Sequence, residues 1–327
     1  MIVNEGISCF EALDCPSCGA GGAVLHSGIR DRLFGAPGVW SVRQCSQANC
    51  GLGWLDPQPL ETEIGQLYTS YYTHGSAEYD DTAISLDAFH TRGKKRVIKA
   101  MLARLLPWRR AQFQTDLYHL QGMKPGRVLE VGCGSGEFLL AAAQAGWDAN
   151  GIDFDERAIA TAAKLPGVNA IVSDLAGAGY PPKSFDALVM NNVIEHLPRP
   201  AAVFDECFRV LRPGGRLVMI TPNLASLGHQ TFGPDWRGLE VPRHLCIYTN
   251  TAIRRLARQA GFAKARAFST LGNSIESIAN ESAKIASRSG RIAPKVKTAR
   301  LSFISTVWAL LGLSRSEFLV LVAERPA

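Results

Sequence analysis

The run Val128-Leu129-Glu130-Val131-Gly132-Cys133-Gly134-Ser135-Gly136 sets an acid near the end of an apolar stretch and glycines at alternate positions beyond it. A short run rich in Val and Leu reads as a buried parallel strand. The glycines read as a tight turn where backbone approaches a ligand closely, ahead of a helix starting at Glu137. A dinucleotide-binding turn needs its third glycine one position later, where this chain has Glu137. The loop therefore suits a ligand without a pyrophosphate, gripped by Glu130, Gly132, Cys133, Gly134 and Gly136. Further on, Gly151-Ile152-Asp153 closes a second apolar run and Phe154 follows it. A carboxylate at that place accepts both hydroxyls of a ribose. Ser173-Asp174-Leu175 offers an acid and an apolar neighbour for an adenine amine and ring face. Asn191 closes a fourth run, followed by Asn192-Val193-Ile194-Glu195-His196.

Glu195-His196 is the pair that could move a proton, since an imidazole titrates near neutral pH. His196 is the expected base and Glu195 its expected orienting partner. The passage from Thr221 to Tyr248 has few regular signals, and irregular stretches of that length inside a compact domain tend to be functional lids. Within it Trp236 offers a flat face for a sugar ring, Arg243 a cation for phosphate, and His244 a second base. Tyr71 and Tyr72, beside Leu67-Tyr68, form an aromatic cluster expected to touch substrate. Nearer the start, Cys15-Pro-Ser-Cys18-Gly19 and Cys45-Ser-Gln-Ala-Asn-Cys50-Gly51 pair thiols at metal-ligand spacing, each pair followed by glycine. Such knuckles read as a zinc ribbon with Cys15, Cys18, Cys45 and Cys50 as ligands of a structural Zn2+.

Apolar and amphipathic segments alternate around these residues. Strands are expected at 127–131, 149–153, 170–173, 187–191 and 216–221, and helices at 137–145, 156–164, 201–211 and 251–260. This alternation predicts a doubly wound α/β sheet. Pro213-Gly214-Gly215 reads as a helix stop and turn. From 86 to 120 the pattern is mostly helical and basic on its polar side, broken at Pro107. The expected domains are a ribbon over 1–58, connecting and lid helices over 59–125, and the main α/β domain over 126–327.

The chain of 327 residues is 46% hydrophobic and 20% charged, with a formal net charge of +6, which fits a globular protein and an anionic partner without demanding one. No basic and apolar leader opens it, so a cytoplasmic location is expected, with its eight cysteines as thiols or metal ligands. Arg288 to Arg300 carries five basic residues and no acid, and apolar residues at helical spacing follow from Leu301 to Leu313. Such a stretch can sit on an anionic membrane surface.

The glycine loop, Asp153, Asp174 and the fourth run together resemble the class I S-adenosylmethionine-dependent methyltransferases. The resemblance implies a seven-stranded Rossmann-like sheet ending in an antiparallel pair, here Ala265–Ser269 and Phe318–Ala323. It also implies S-adenosyl-L-methionine as cofactor. With the cysteine pairs, Thr221-Pro222-Asn223 and Pro242-Arg243-His244, the chain resembles bacterial methyltransferases that modify surface polysaccharides or sugars. Methylation of an oxygen on a sugar or glycan acceptor, phosphate- or lipid-linked, is the activity this implies. The alternatives are carbon methylation of a nucleotide-linked keto sugar and methylation of RNA. RNA is disfavoured by the modest charge and by the lack of an Asn/Asp-Pro-Pro-aromatic element after the fourth strand. The fourth run also resembles the ubiquinone-pathway O-methyltransferases, where a carboxylate three residues before the Glu-His pair helps bind a divalent metal. Asn192 stands there in this chain.

Overall fold

The computed structural model describes residues 1–68, 117–270, 274–292, 301, 303–305, 307–308 and 315–327. Tyr71, Tyr72, most of the helical stretch 86–120 and most of the basic-apolar stretch 288–313 lie outside the described residues. Where the description resumes at 117, the chain forms a turn rather than the end of a helix. Among the described residues no helix is long and apolar enough to cross a membrane.

Six short strands lie before residue 60: β1 (Ile2–Asn4), β2 (Ile7–Phe10), β3 (Gly22–Ile29), β4 (Trp40–Cys45), β5 (Gly53–Asp56) and β6 (Gln58–Pro59). A 3-10 helix, Glu61–Tyr68, follows. The main sheet then takes β7 (Arg127–Val131), β8 (Asp148–Asp153), β9 (Val168–Val172), β10 (Phe185–Asn191) and β11 (Leu211–Pro222). Helices α1 (Glu137–Gln144), α2 (Glu156–Ala162) and α3 (Pro200–Val210) connect them, and α4 (Leu227–Phe232) leads to β12 (Cys246–Ile247). The chain continues through α5 (Asn250–Gln259), β13 (Ala263–Ser269), α6 (Ser274–Arg288) and β14 (Phe318–Glu324).

The seven-stranded sheet runs in the order β13-β14-β11-β10-β7-β8-β9. Neighbours from β11 to β9 are parallel, while β14 pairs antiparallel with both β11 and β13. Parallel strands covered by helices on both faces must be apolar on both sides, and Val128 to Val131 and Ala187 to Met190 are buried without alternation. Side chains set the helix starts. Asp155 accepts the amides of Arg157 and Ala158 at the start of α2, and Thr249 accepts that of Ala252 at the start of α5. The buried stripe of α5 is Ala252, Ile253, Leu256 and Ala257. Its two large members contribute roughly 1.5–3 kcal/mol each on leaving water.

Two local expectations change. The fifth strand begins at Leu211, not Arg216. Phe185 faces Leu211 while Ala187 faces Arg216, so Arg212 to Gly215 bulge out within the strand instead of ending a helix. The segment expected as an open lid is packed. Phe232, Trp236, Leu239, Val241, Leu245 and Tyr248 are all buried. Its β12 pairs antiparallel with β5, completing a sheet of order β12-β5-β4-β3 with the N-terminal strands.

A candidate methyl-transfer site at the strand ends

Strand order reverses between β7 and β10, and in open α/β sheets ligands bind beyond the carboxyl ends of the strands at that crevice. Gly132, at φ 71°, leaves β7, and a Cβ there would meet Val193 Cγ2 at 2.3 Å. Gly136, at φ 85°, caps α1 and lets the loop lie against Ala162 and Leu165. Gly132 and Cys133 donate their amides to the Ile152 carbonyl at 2.8 and 3.1 Å, which pins the loop to β8. The Cys133 side chain packs inward near Gly151 and burial pushes its thiol up, so the loop presents backbone.

Asp153 is buried, and its two oxygens accept the amides of Gly134 at 2.9 Å and Asp155 at 3.0 Å. Each carboxylate oxygen keeps a second lone pair for a hydroxyl. Phe154 is 68% exposed, with its ring 5.8 Å from that of Tyr68. Asp174 accepts the Gly177 amide at 2.6 Å, and Leu175 is buried in the core beside it. Asn191 donates to the Tyr118 hydroxyl at 3.1 Å, and its own oxygen is buried without a hydrogen-bond partner among the described residues.

Glu130 Oε2 is also buried without a partner among the described residues, and burial, with Asp153 nearby, holds its pKa well above the usual carboxylate range. Carboxylates are rarely buried without a cation. A cofactor with a cationic amino-acid end and a ribose fits this donor and acceptor set.

Glu195-His196 lies in a 3-10 turn directly after β10. His196 Nδ1 is 3.1 Å from the Arg243 carbonyl and 3.0 Å from the Tyr68 hydroxyl. Burial holds the imidazole below its usual pKa. Glu195 is not the orienting partner. Its Oε2 accepts from Thr221 at 2.9 Å, its Oε1 has no partner among the described residues, and burial raises it to about 8. His244 donates from Nδ1 to the Gly238 carbonyl at 2.8 Å and is pushed down to about 3 by burial. Its ring centroid is 4.7 Å from that of His196. It is a packed residue, not one carried on a moving lid.

Two further expectations fail on burial. Trp236 is 1% exposed and donates to Glu317 at 2.7 Å, so its ring pins the segment and offers no face to a sugar. The Arg243 side chain is fully buried between Asp31, at 2.7 Å, and Glu240, at 3.4 Å, which engages the cation expected for phosphate.

Two groups of described residues could hold a metal. The ligand atoms of Glu195, His196 and His244 lie within 4.8 Å of one another, as do the four Sγ atoms of Cys15, Cys18, Cys45 and Cys50. Sequence reasoning missed Tyr118, Asp31 and Glu240, and it placed Tyr68 in an aromatic cluster without its contact to His196. Glu240, four residues before His244, had a helical-neighbour spacing as a signal. Asp31 had none.

The sheet and its strand-end residues define a class I, Rossmann-like methyltransferase fold. The family model described as "Methyltransferase domain" matches residues 94–266, and the chain belongs to that family, so it carries an S-adenosylmethionine-dependent methyltransferase domain. It is similar to the "Probable S-adenosylmethionine-dependent methyltransferase" of Mycolicibacterium smegmatis, 37% identical over 136 residues covering 41% of this chain and 51% of that one. It is also similar to the ubiquinone biosynthesis O-methyltransferase of Pseudomonas fluorescens, 35% identical over 108 residues covering 31% of this chain and 47% of the other. The chain thus spans about half the length of these curated relatives. Among solved structures, phosphoethanolamine N-methyltransferase 2 of Haemonchus contortus, in complex with S-adenosyl-L-methionine, superposes with a TM-score of 0.50 at 16% identity. That match covers 94% of this chain and 69% of the other, and it shows the fold alone.

Proposed function

We propose that the chain transfers a methyl group from S-adenosyl-L-methionine to a hydroxyl oxygen of a sugar or glycan intermediate, with His196 as general base. The ring of His196 carries this reading. The Arg243 carbonyl, 3.1 Å from Nδ1, only accepts, so Nδ1 bears the ring proton and Nε2 keeps its lone pair. With its pKa held below the usual value, the ring is neutral near pH 7. When bound, the cofactor supplies a methyl group on a sulfonium, a good leaving group. Asp153 takes the ribose hydroxyls, Asp174 the adenine amine and Glu130 the cationic amino-acid end, while the glycine loop keeps backbone close to the ligand. For a hydroxyl acceptor, the proton released on methylation would pass to Nε2 of His196, the sulfonium sulfur keeping the electron pair of its bond to the methyl group.

A sugar or glycan acceptor rests on the resemblance carried by the cysteine pairs and Pro242-Arg243-His244. The names of the O-methyltransferase relatives support oxygen as the accepting atom and favour a second reading, a phenolic acceptor. A lipid-linked acceptor would bring 288–313 to a membrane surface. A structural Zn2+ on Cys15, Cys18, Cys45 and Cys50 belongs to the same proposal. Two Sγ pairs lie 3.7 and 3.5 Å apart, near the roughly 3.8 Å edge of a tetrahedron with Zn–S bonds of ~2.3 Å. Gly19 and Gly51, at φ 71° and 66°, make the turns behind them.

The test supplies trideuteromethyl-labelled cofactor with nucleotide-linked sugars, lipid-linked sugars, catechols and bulk RNA, and reads label by mass spectrometry. Label on a sugar oxygen supports the first reading and label on a catechol oxygen the second. Label on carbon or on RNA overturns both. His196→Ala should then lower kcat by about 10²–10⁴-fold and leave cofactor affinity intact.

A further inference from the structure

Two residues from the first 68 bear on the candidate base, Tyr68 by direct contact and Asp31 through Arg243. Asp31 lies in the connection between β3 and β4, where its Oδ1 accepts the amides of Leu33 at 3.0 Å and Phe34 at 2.9 Å. Its Oδ2 accepts the amide of Ala36 at 3.1 Å and Arg243 Nη2 at 2.7 Å. The Asp31 and Arg243 side chains are 4% and 0% exposed. Arg243 also donates from Nη1 to the Leu67 carbonyl at 3.1 Å, and its guanidinium lies 4.9 Å from the centre of the Phe34 ring. One side chain thus grips the β3–β4 connection and the end of the 3-10 helix, and so fixes its own backbone. The carbonyl of that backbone meets His196 Nδ1 at 3.1 Å, and Tyr68, next to Leu67, brings its hydroxyl within 3.0 Å of the same nitrogen.

We propose that the N-terminal segment is a positioning device for His196. Tyr68 acts through its hydroxyl and Asp31 through Arg243, and together they hold the imidazole in the form protonated at Nδ1, with the lone pair on Nε2. This rests on the reading of His196 as the base. Because a carbonyl cannot donate, the proton of this contact belongs to Nδ1, and the Tyr68 oxygen accepts a share of it. A purely structural role for Asp31 accounts for less. Glu240 already lies 3.4 Å from the same guanidinium, and buried ion pairs are weak contributors to stability compared with apolar packing. What the second carboxylate adds is a fixed direction for the Arg243 backbone.

The test reads the tautomer directly, by nitrogen-15 NMR of the ring nitrogens in the full-length protein as purified. Parent, Asp31→Asn, Asp31→Glu and Tyr68→Phe are compared. In the parent, His196 should be chiefly the Nδ1–H form. Asp31→Asn and Tyr68→Phe should each move the tautomer ratio toward Nε2–H by about fivefold, the scale of one neutral hydrogen bond, and Asp31→Glu should restore it. His229 serves as control, because its Nδ1 is 2.7 Å from the Leu224 carbonyl and should not change. If Asp31→Asn does not fold, Tyr68→Phe, which removes only a hydroxyl, decides. A parent ring protonated chiefly at Nε2, or folded variants with the parental ratio, overturns the proposal. The tautomer response needs no acceptor, so it is separable from the function itself. Full turnover by His196→Ala would end the base reading while leaving the positioning contact standing. An inactive His196→Ala with an unmoved tautomer would end the positioning inference alone.

Discussion

Glu317 is a carboxylate with neutral partners. It is 2% exposed and accepts from the Trp236 ring at 2.7 Å and the Gly228 amide at 2.9 Å. Burial raises it from 4.5 to about 7. Between those two values the folded chain holds a proton that the unfolded chain has lost. Its contribution to stability is full below about 4.5 and disappears as pH rises through about 7. Glu317→Gln keeps an acceptor and removes the titration. Thermal or urea unfolding across that window should therefore show the parent losing about 3 kcal/mol more than the variant on going from the acid to the neutral end. Parallel curves would mean that Glu317 is not buried as described. The same residue explains why Trp236 was misread from sequence. A Trp in a segment with few regular signals resembles a ligand platform, and only its distant partner shows that it is a pin. Arg243 misleads likewise, because Asp31 is invisible at that separation.

The glycine loop is the element proposed to bring backbone closest to the cofactor. Gly132→Ala puts a side chain at φ 71° and a Cβ 2.3 Å from Val193 Cγ2, so the loop must move. The parent's melting temperature should rise with S-adenosylhomocysteine, and that rise should be lost in the variant. A retained shift would mean the loop does not face the ligand. The paired knuckles make the second prediction at this scale. Freshly purified protein should hold about one zinc per chain, and Cys18→Ser should lose it and melt lower while still binding cofactor. Metal analysis without zinc would end that assignment. Elements with a strong local pattern were legible. The expected range 127–131 is β7 itself, because an apolar run there ends on glycines. Pro213-Gly214-Gly215 reads as a stop, yet hydrogen bonds between Arg325 and the Gly214-Gly215 backbone carry the strand past it as a bulge. The strands before residue 60 are two to eight residues long, too short for a period to show.

At the scale of the whole molecule, strands on either side of residue 58 share one sheet. β12, from the segment after Pro242-Arg243-His244, completes the sheet of the N-terminal strands, and Thr249 donates to the Cys50 carbonyl at 3.1 Å. The cysteine knuckles are therefore tied to the same segment that carries the Arg243 carbonyl to His196. Long-range pairing of this kind leaves no trace in local sequence, whereas the strand ends that form the cleft could be read one at a time. If those strand ends form a single cofactor pocket, calorimetry with S-adenosylhomocysteine will show it. The parent should bind one molecule per chain. Asp153→Ala removes the ribose acceptor and an anchor of the glycine loop, and should weaken binding by roughly 1.5–3 kcal/mol, the worth of a hydrogen bond to a charged group. No heat with the parent, or unchanged affinity in Asp153→Ala, would contradict the account.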